Sequence, residues 1–495
     1  MTDLGMSRHV FSGAGAGAGV GSYSWTHTCK PSTQLEVKTT TLYNASPYRP
    51  KEEEETMVLI TLPQGTYKGA TKDTINIYHG IPYSQPFERF QSPKPITPNP
   101  SPNPTSDANT IHDATTWGPI CPQNPSALQP HIYGPWPSPP KGGEPDESLC
   151  GVVSVYQPEE AAGAKEGSGK LPVIVYIHGG AWQTGSSQID WYTGTALAQD
   201  GNCIVVALSY RMGVLGFMYE SGKPLACGNQ DHILALEWVK GNIGFFGGDV
   251  NNITAAGQSA GAYNTQLLLD VRPDLFKRAI IMSSPAGMVF KPEDAEKVAQ
   301  LVRANLPEGK TTTTASVSEL LKAQGVASGQ VGGLAQFAPV VADGVAPGGR
   351  VTVESEADRK DVWVTWLQHD GSAFAAIAGG HGTKAEDALS VKLTDDVFKK
   401  PSIELAQRLA KAGHKVATLE HQWSPKGFLL GATHCLDLPV ILGDAEAWKE
   451  SPLRGTESAQ GWDRRGRMIR QAFGQFAHSG KVPEVLEGAE VRVVS

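Results

Sequence analysis

Cysteine is scarce in this chain, six in 495 residues, too few for a disulfide-knit scaffold. Charge is thin as well: 42 Lys and Arg face 50 Asp and Glu, a formal net charge of −8. With no basic excess to neutralise phosphates, nucleic acid is excluded as the main partner. No apolar run approaches the ~20 residues of a membrane-spanning helix. The longest, such as Ile174–Ile177 and Ile204–Leu208, are strand-sized. Near Met1 there is no charged segment followed by an apolar one, so no secretory signal is visible and an intracellular location is favoured. HExxH and CxxC are absent, and the alternating glycines of 13–21 lack GxGxxG spacing. The Gly309-Lys-Thr311 segment lacks a P-loop's first glycine, because position 304 is Ala. Neither a metal nor a nucleotide cofactor is expected.

What is present is a composition with 40% hydrophobic residues, enough for a large buried core. Residues 1–55 carry the low-complexity Gly13–Gly21 tract and the Lys51-Glu-Glu-Glu-Glu55 run, and are expected to form a flexible or loosely packed extension. From 56 to 495 the pattern predicts a single catalytic domain. Strand-like runs at Pro172–Ile177, Cys203–Ser209, Ile253–Ala256, Ala279–Met282, Val362–Leu367 and Lys415–Leu419 alternate with helical segments. The latter are Asp231–Asn242, Ala260–Asp270, Glu293–Asn305, Thr394–Ala412 and Arg464–Ser479. Such alternation predicts an α/β fold, a large mostly parallel twisted sheet with helices on both faces.

Chemistry enters at Gly257-Gln-Ser-Ala-Gly261. GxSxG alone is a weak signal, but here it follows a β-like run and precedes a helical one, the strand–turn–helix context of a nucleophile elbow. The flanking glycines let strand and helix backbones nearly touch. Ser259 is therefore the candidate nucleophile. A serine needs a base and a place for the oxyanion. The second need points to His178-Gly-Gly-Ala-Trp182, a glycine-rich turn directly after a strand that frees backbone N–H groups.

These pieces, with Gly80-Ile-Pro-Tyr-Ser84, Glu147-Ser-Leu-Cys150, Ser209-Tyr-Arg-Met-Gly213, Gly228-Asn-Gln-Asp231, Phe246-Gly-Gly-Asp249 and Phe473-Gly-Gln-Phe-Ala477, resemble the type B carboxylesterases. That is the cholinesterase-like branch of the α/β-hydrolases, with helical insertions around a gorge. The resemblance spans about 60–485. It implies a serine carboxylic-ester hydrolase working through an acyl-enzyme on small to medium, mostly uncharged esters. It further implies a triad of Ser259, His434 in Gly431-Ala-Thr-His434, and Asp370 in His369-Asp-Gly-Ser372. Asp370 stands where the family more often has Glu, and His369 departs from its usual acidic residue. Gly180, Ala181 and Ala260 would supply the oxyanion hole, and Ser283 would bond to the triad acid or simply hold a turn.

Gln258 replaces the family's usual Glu beside the nucleophile, which predicts a weaker preference for cationic substrates. Trp182 is either an acyl-pocket wall or a core residue, and Trp136 a platform over the gorge or a plain loop residue. Cys121 and Cys150 match the family disulfide, a bond suited to a secreted protein and at odds with the missing signal. The same triad would also serve an acyltransferase or a coupling enzyme of secondary metabolism. An intact triad argues against a non-catalytic adhesion module.

Overall fold

Apolar runs too continuous for a half-exposed strand become parallel strands buried on both faces. In the segment Leu171–Ile177, Val173, Val175 and Ile177 join the core on one side of the sheet, while Ile174 and Tyr176 join the core on the other. The computed structural model describes residues 56–494 except 98–110, 135–141, 163–169, 221–222, 225, 334–335, 342, 351–352, 357, 380–382, 444 and 485. The expectations for residues 1–55 and for Trp136 fall outside the described residues.

Among the described residues one sheet holds 12 strands. In chain order these are β1 Thr56–Leu62, β2 Gly65–Lys72, β3 Ile75–Pro82, β4 Ile111–Asp113, β5 Val152–Pro158, β6 Leu171–Ile177 and β7 Ile204–Leu208. β8 Gly248–Gln258, β9 Arg278–Met282, β10 Asp361–Leu367, β11 Lys415–His421 and β12 Ala489–Val494 complete it. The order across the sheet is β1-β2-β3-β5-β7-β6-β8-β9-β10-β11-β12, with β4 beside β2. From β7 to β11 every pairing is parallel, and antiparallel strands close both ends.

The main helices are α1 Thr195–Gly201, α2 Cys227–Asn242, α3 Ala260–Val271, α4 Pro292–Ala304, α5 Val317–Val331, α6 Ser372–Gly379, α7 Lys400–Lys411 and α8 Ala459–Ser479. The segment Thr394–Ala412, expected as one helix, divides into a π-helical turn, Thr394–Lys399, and α7 with Pro401 in its first turn. No helix among the described residues is long and apolar enough to cross a membrane.

Parallel strands end at the same rim, and in open α/β sheets that carboxyl rim is where ligands bind. Here β8 ends one residue before Ser259, β10 three residues before Asp370, and β6 three before Gly180.

Candidate active site

The elbow is built by close contact. A side chain added at Gly261 would collide with the carbonyl oxygen of Ile177, and one at Gly257 with the backbone of Gly261. Strand β8 and helix α3 can meet only because both are glycine. Ser259 between them sits at φ 58°, ψ −123°, a region a side chain enters only under strain of ~1–3 kcal/mol. Its amide is tied to the Met282 carbonyl on β9 at 2.9 Å, which fixes the turn.

The other two side chains come from separate loops that the structure zips together. His369 donates its N–H to the Ala432 carbonyl at 2.9 Å, and its Nδ1 accepts from the Ala432 amide at 3.3 Å. Ser372 donates to the Thr433 hydroxyl at 2.7 Å, and that hydroxyl also accepts from the Ala373 amide. His369, the departure from the family pattern, thus helps staple the two loops. Asp370 and His434 are set side by side, and both are fully buried.

Three predicted residues converge at hydrogen-bond distance. His434 Nε2 lies 2.8 Å from Ser259 Oγ, and His434 Nδ1 lies 2.8 Å from Asp370 Oδ1. The other carboxylate oxygen of Asp370 accepts from Ser283 Oγ at 2.9 Å and from the Leu367 amide at 2.8 Å. Ser283 therefore bonds to the acid as well as holding its turn. Gln258 is buried behind the nucleophile, its amide nitrogen 3.4 Å from His434 Nε2 and 3.6 Å from Cys435 Sγ.

Gly180, Ala181 and Trp182 have φ of 106°, 53° and 59°, three successive left-handed residues, two of them with side chains. The Gly180 carbonyl is drawn away by the amides of Gln183 and Thr184, each at 3.0 Å. Gly180 and Ala181 line the same cavity as Ser259 and His434. Ala260 begins α3, so its N–H is one of the amides a helix cannot satisfy internally.

Of the two readings of Trp182 the structure favours the core one, and the expected Cys121–Cys150 disulfide is corrected. Trp182 does not line the cavity: its indole is buried edge-on against Tyr263 and donates to Asn264 Oδ1 at 2.9 Å. The left-handed backbone at 182 turns the ring into the core. Cys121 and Cys150 are both buried and both free thiols, with no disulfide between them. The Cys121 thiol accepts from the Met212 amide, and its hydrogen bond together with burial pushes Cys150 well above the ordinary thiol range.

Sequence reasoning missed the surroundings. Phe374 and Phe398 place their rings 4.9 Å from the imidazole of His434. Phe374 stands in α6, four residues after Asp370. Tyr133 stands over Cys435, its hydroxyl 3.7 Å from the sulfur. Around the nucleophile lies a cavity of about 400 Å³ whose described lining holds no Lys, Arg, Asp or Glu.

Asp437, three residues past His434, is a further buried acid near the site. Among the described residues no side chain hydrogen-bonds to its carboxyl. Burial, and secondarily the Asp370 carboxylate, push it up to about 8. An unfolded Asp loses its proton near pH 4, so between about pH 4 and 8 the folded chain holds a proton that the unfolded chain lacks. Unfolding free energy then falls as pH rises through that window. Asp437→Asn, which keeps the shape of the neutral acid, is expected to flatten the decline in melting temperature between pH 5 and 8. An unchanged slope in thermal melts would refute the assignment.

The fold and the arrangement define a class, the α/β-hydrolases with a serine at the elbow. The carboxylesterase family model matches residues 56–400. A protein named probable N-octanoylanthranilate hydrolase AqdA2, from Rhodococcus erythropolis, is 31% identical over 86% of this chain and 94% of its own length. The para-nitrobenzyl esterase of Bacillus subtilis is 35% identical over 54% of this chain and 52% of its own. The solved structure of a thermophilic pNB esterase superposes with a TM-score of 0.70, at 25% identity over 88% of this chain and 94% of that one. The chain belongs to the carboxylesterase family and is a serine ester hydrolase.

Proposed function

We propose that this enzyme hydrolyses small to medium uncharged esters through an acyl-enzyme on Ser259. The observation that carries the reading is the pair of 2.8 Å contacts from Ser259 through His434 to Asp370, opening into a cavity without charged walls.

Ser259 Oγ attacks the ester carbonyl carbon as His434 Nε2 takes its proton. Asp370 holds the imidazole in the tautomer with its proton on Nδ1 and stabilises the imidazolium. The amides of Gly180, Ala181 and Ala260 hold the oxyanion, each contributing ~3 kcal/mol to the transition state. When the carbon–oxygen bond breaks, His434 returns the proton to the leaving alcohol. Water then attacks the acyl-enzyme by the same route and releases the acid. A Gln at 258 leaves no second anion beside the nucleophile for a cationic substrate to meet, in keeping with the neutral cavity.

A fluorophosphonate probe tests the nucleophile directly. Mass spectrometry of the intact, inactivated protein is expected to show one adduct, and peptide mapping to locate it on Ser259. An adduct elsewhere, or inactivation without an adduct, would overturn the reading.

A further inference from the structure

Helix α5 is well begun and oddly composed. Ser316 caps it with the reciprocal Glu319 contacts of a capping box. Leu320, Ala323, Gln324 and Ala327 bury its inner side. Within it stand Gly325 and Gly329, and glycine is the residue after proline least suited to a helix interior. A mid-helix glycine usually answers to close packing or to a left-handed backbone, and neither applies. A Cβ at Gly329 would meet no heavy atom within 4 Å, and one at Gly325 only the Asn124 amide, at an ordinary 3.6 Å. Neither has a positive φ.

Both glycines face the cavity that holds Ser259 and His434. The larger side chains beside them also line that space but are held by hydrogen bonds. Gln183 Nε2 donates to Gln336 Oε1 at 3.0 Å, and Gln336 donates in turn to the Gly332 carbonyl at 2.8 Å. Gln324 Oε1 is occupied by the Val214 amide at 2.8 Å. The wall of α5 thus sets the bare backbone of Gly325 and Gly329 beside Gln324 and Ser328, whose polar groups are already hydrogen-bonded. The rings of Tyr133 and Phe374 also line the cavity. Peptide planes and aromatic faces together favour a flat, uncharged group, and about 400 Å³ holds one.

We propose that Gly325 and Gly329 are specificity-determining residues that keep one arm of the cavity open for an aryl group, so the preferred esters carry an aromatic acyl or alcohol arm. The proposal rests on Ser259 and His434 being the reacting pair in this cavity.

The test sets Gly329→Ala and Gly329→Leu beside wild type on ethyl acetate, phenyl acetate, ethyl benzoate and phenyl benzoate, followed by pH-stat. Wild type is expected to prefer the aryl esters. Gly329→Leu is expected to lower kcat/KM at least tenfold on one aryl arm, acyl or alcohol, while ethyl acetate changes by less than about threefold. Gly329→Ala should fall between. Both variants should melt no lower than wild type, because the helix gains a better former and loses no contact.

Equal losses on all four esters, no loss on any, or a lower melting temperature would overturn the proposal. Labelling by a small fluorophosphonate separates the two readings. Wild type that fails to label at Ser259 sinks the nucleophile assignment, whereas variants that label normally yet keep full activity on aryl esters sink only this one.

Discussion

Ser259→Ala is expected to cut ester turnover by roughly 10⁴-fold or more, with the melting temperature near that of wild type. Among the described residues the side-chain oxygen makes a single hydrogen bond to a side chain, to His434. Removing it leaves the backbone bond to Met282 and the elbow glycines in place. Alanine accepts the same left-handed φ with strain similar to serine's, so the turn persists. What disappears is the atom proposed to form the acyl bond. Oxyanion donors alone can still favour attack by water, so a small residual rate is compatible with the mechanism. Steady-state kinetics on an aryl acetate, with differential scanning calorimetry on the same sample, decides the matter. A variant within tenfold of wild type would mean that some other group carries the acyl chain.

The parts of this arrangement that could be read from the sequence are those fixed by local chemistry. Pro172–Ile177 and Val362–Leu367 read as strands because a parallel strand buried on both faces needs an unbroken apolar run. The elbow was legible because Gly257 and Gly261 admit no substitute where strand and helix touch. Asp370 and His434 were different. Nothing local marks a partner 175 residues from the serine, and only the resemblance placed them.

The elements that went unread depend on contacts across the chain. Strands β1–β3, at one end of the sheet, are partly exposed and their mixed composition carries no clean alternation. Helix α5 hides behind its own glycines. The orientation of Trp182 follows from a backbone dihedral, and no residue type announces that. Of the ten non-glycine residues with positive φ among those described, five, Ala181, Trp182, Ser259, Ser283 and Cys435, lie in or beside the proposed triad and oxyanion turn. Packing around the site over-determines these conformations, and a propensity reading cannot anticipate them.

Asp370→Asn is expected to lower kcat by roughly 10⁴-fold while leaving the fold intact, and the reason is directional. One carboxylate oxygen accepts from both Ser283 Oγ and the Leu367 amide; the other accepts from His434 Nδ1. A serine hydroxyl can rotate to become an acceptor, but a backbone N–H cannot. Asparagine must therefore aim its oxygen at Leu367 and its NH₂ at His434. Facing a donor, Nδ1 has to accept, which moves the imidazole proton to Nε2. That nitrogen then points a hydrogen at Ser259 and can no longer take its proton. The consequence is visible without kinetics: ¹⁵N spectra of the histidine ring should show the proton on Nδ1 in wild type and on Nε2 in the variant. Ser283→Ala, which removes one donor and leaves the carboxylate, should keep the wild-type tautomer and lose far less activity. If Asp370→Asn retained activity within tenfold, or kept its proton on Nδ1, the carboxylate would not be what orients the base.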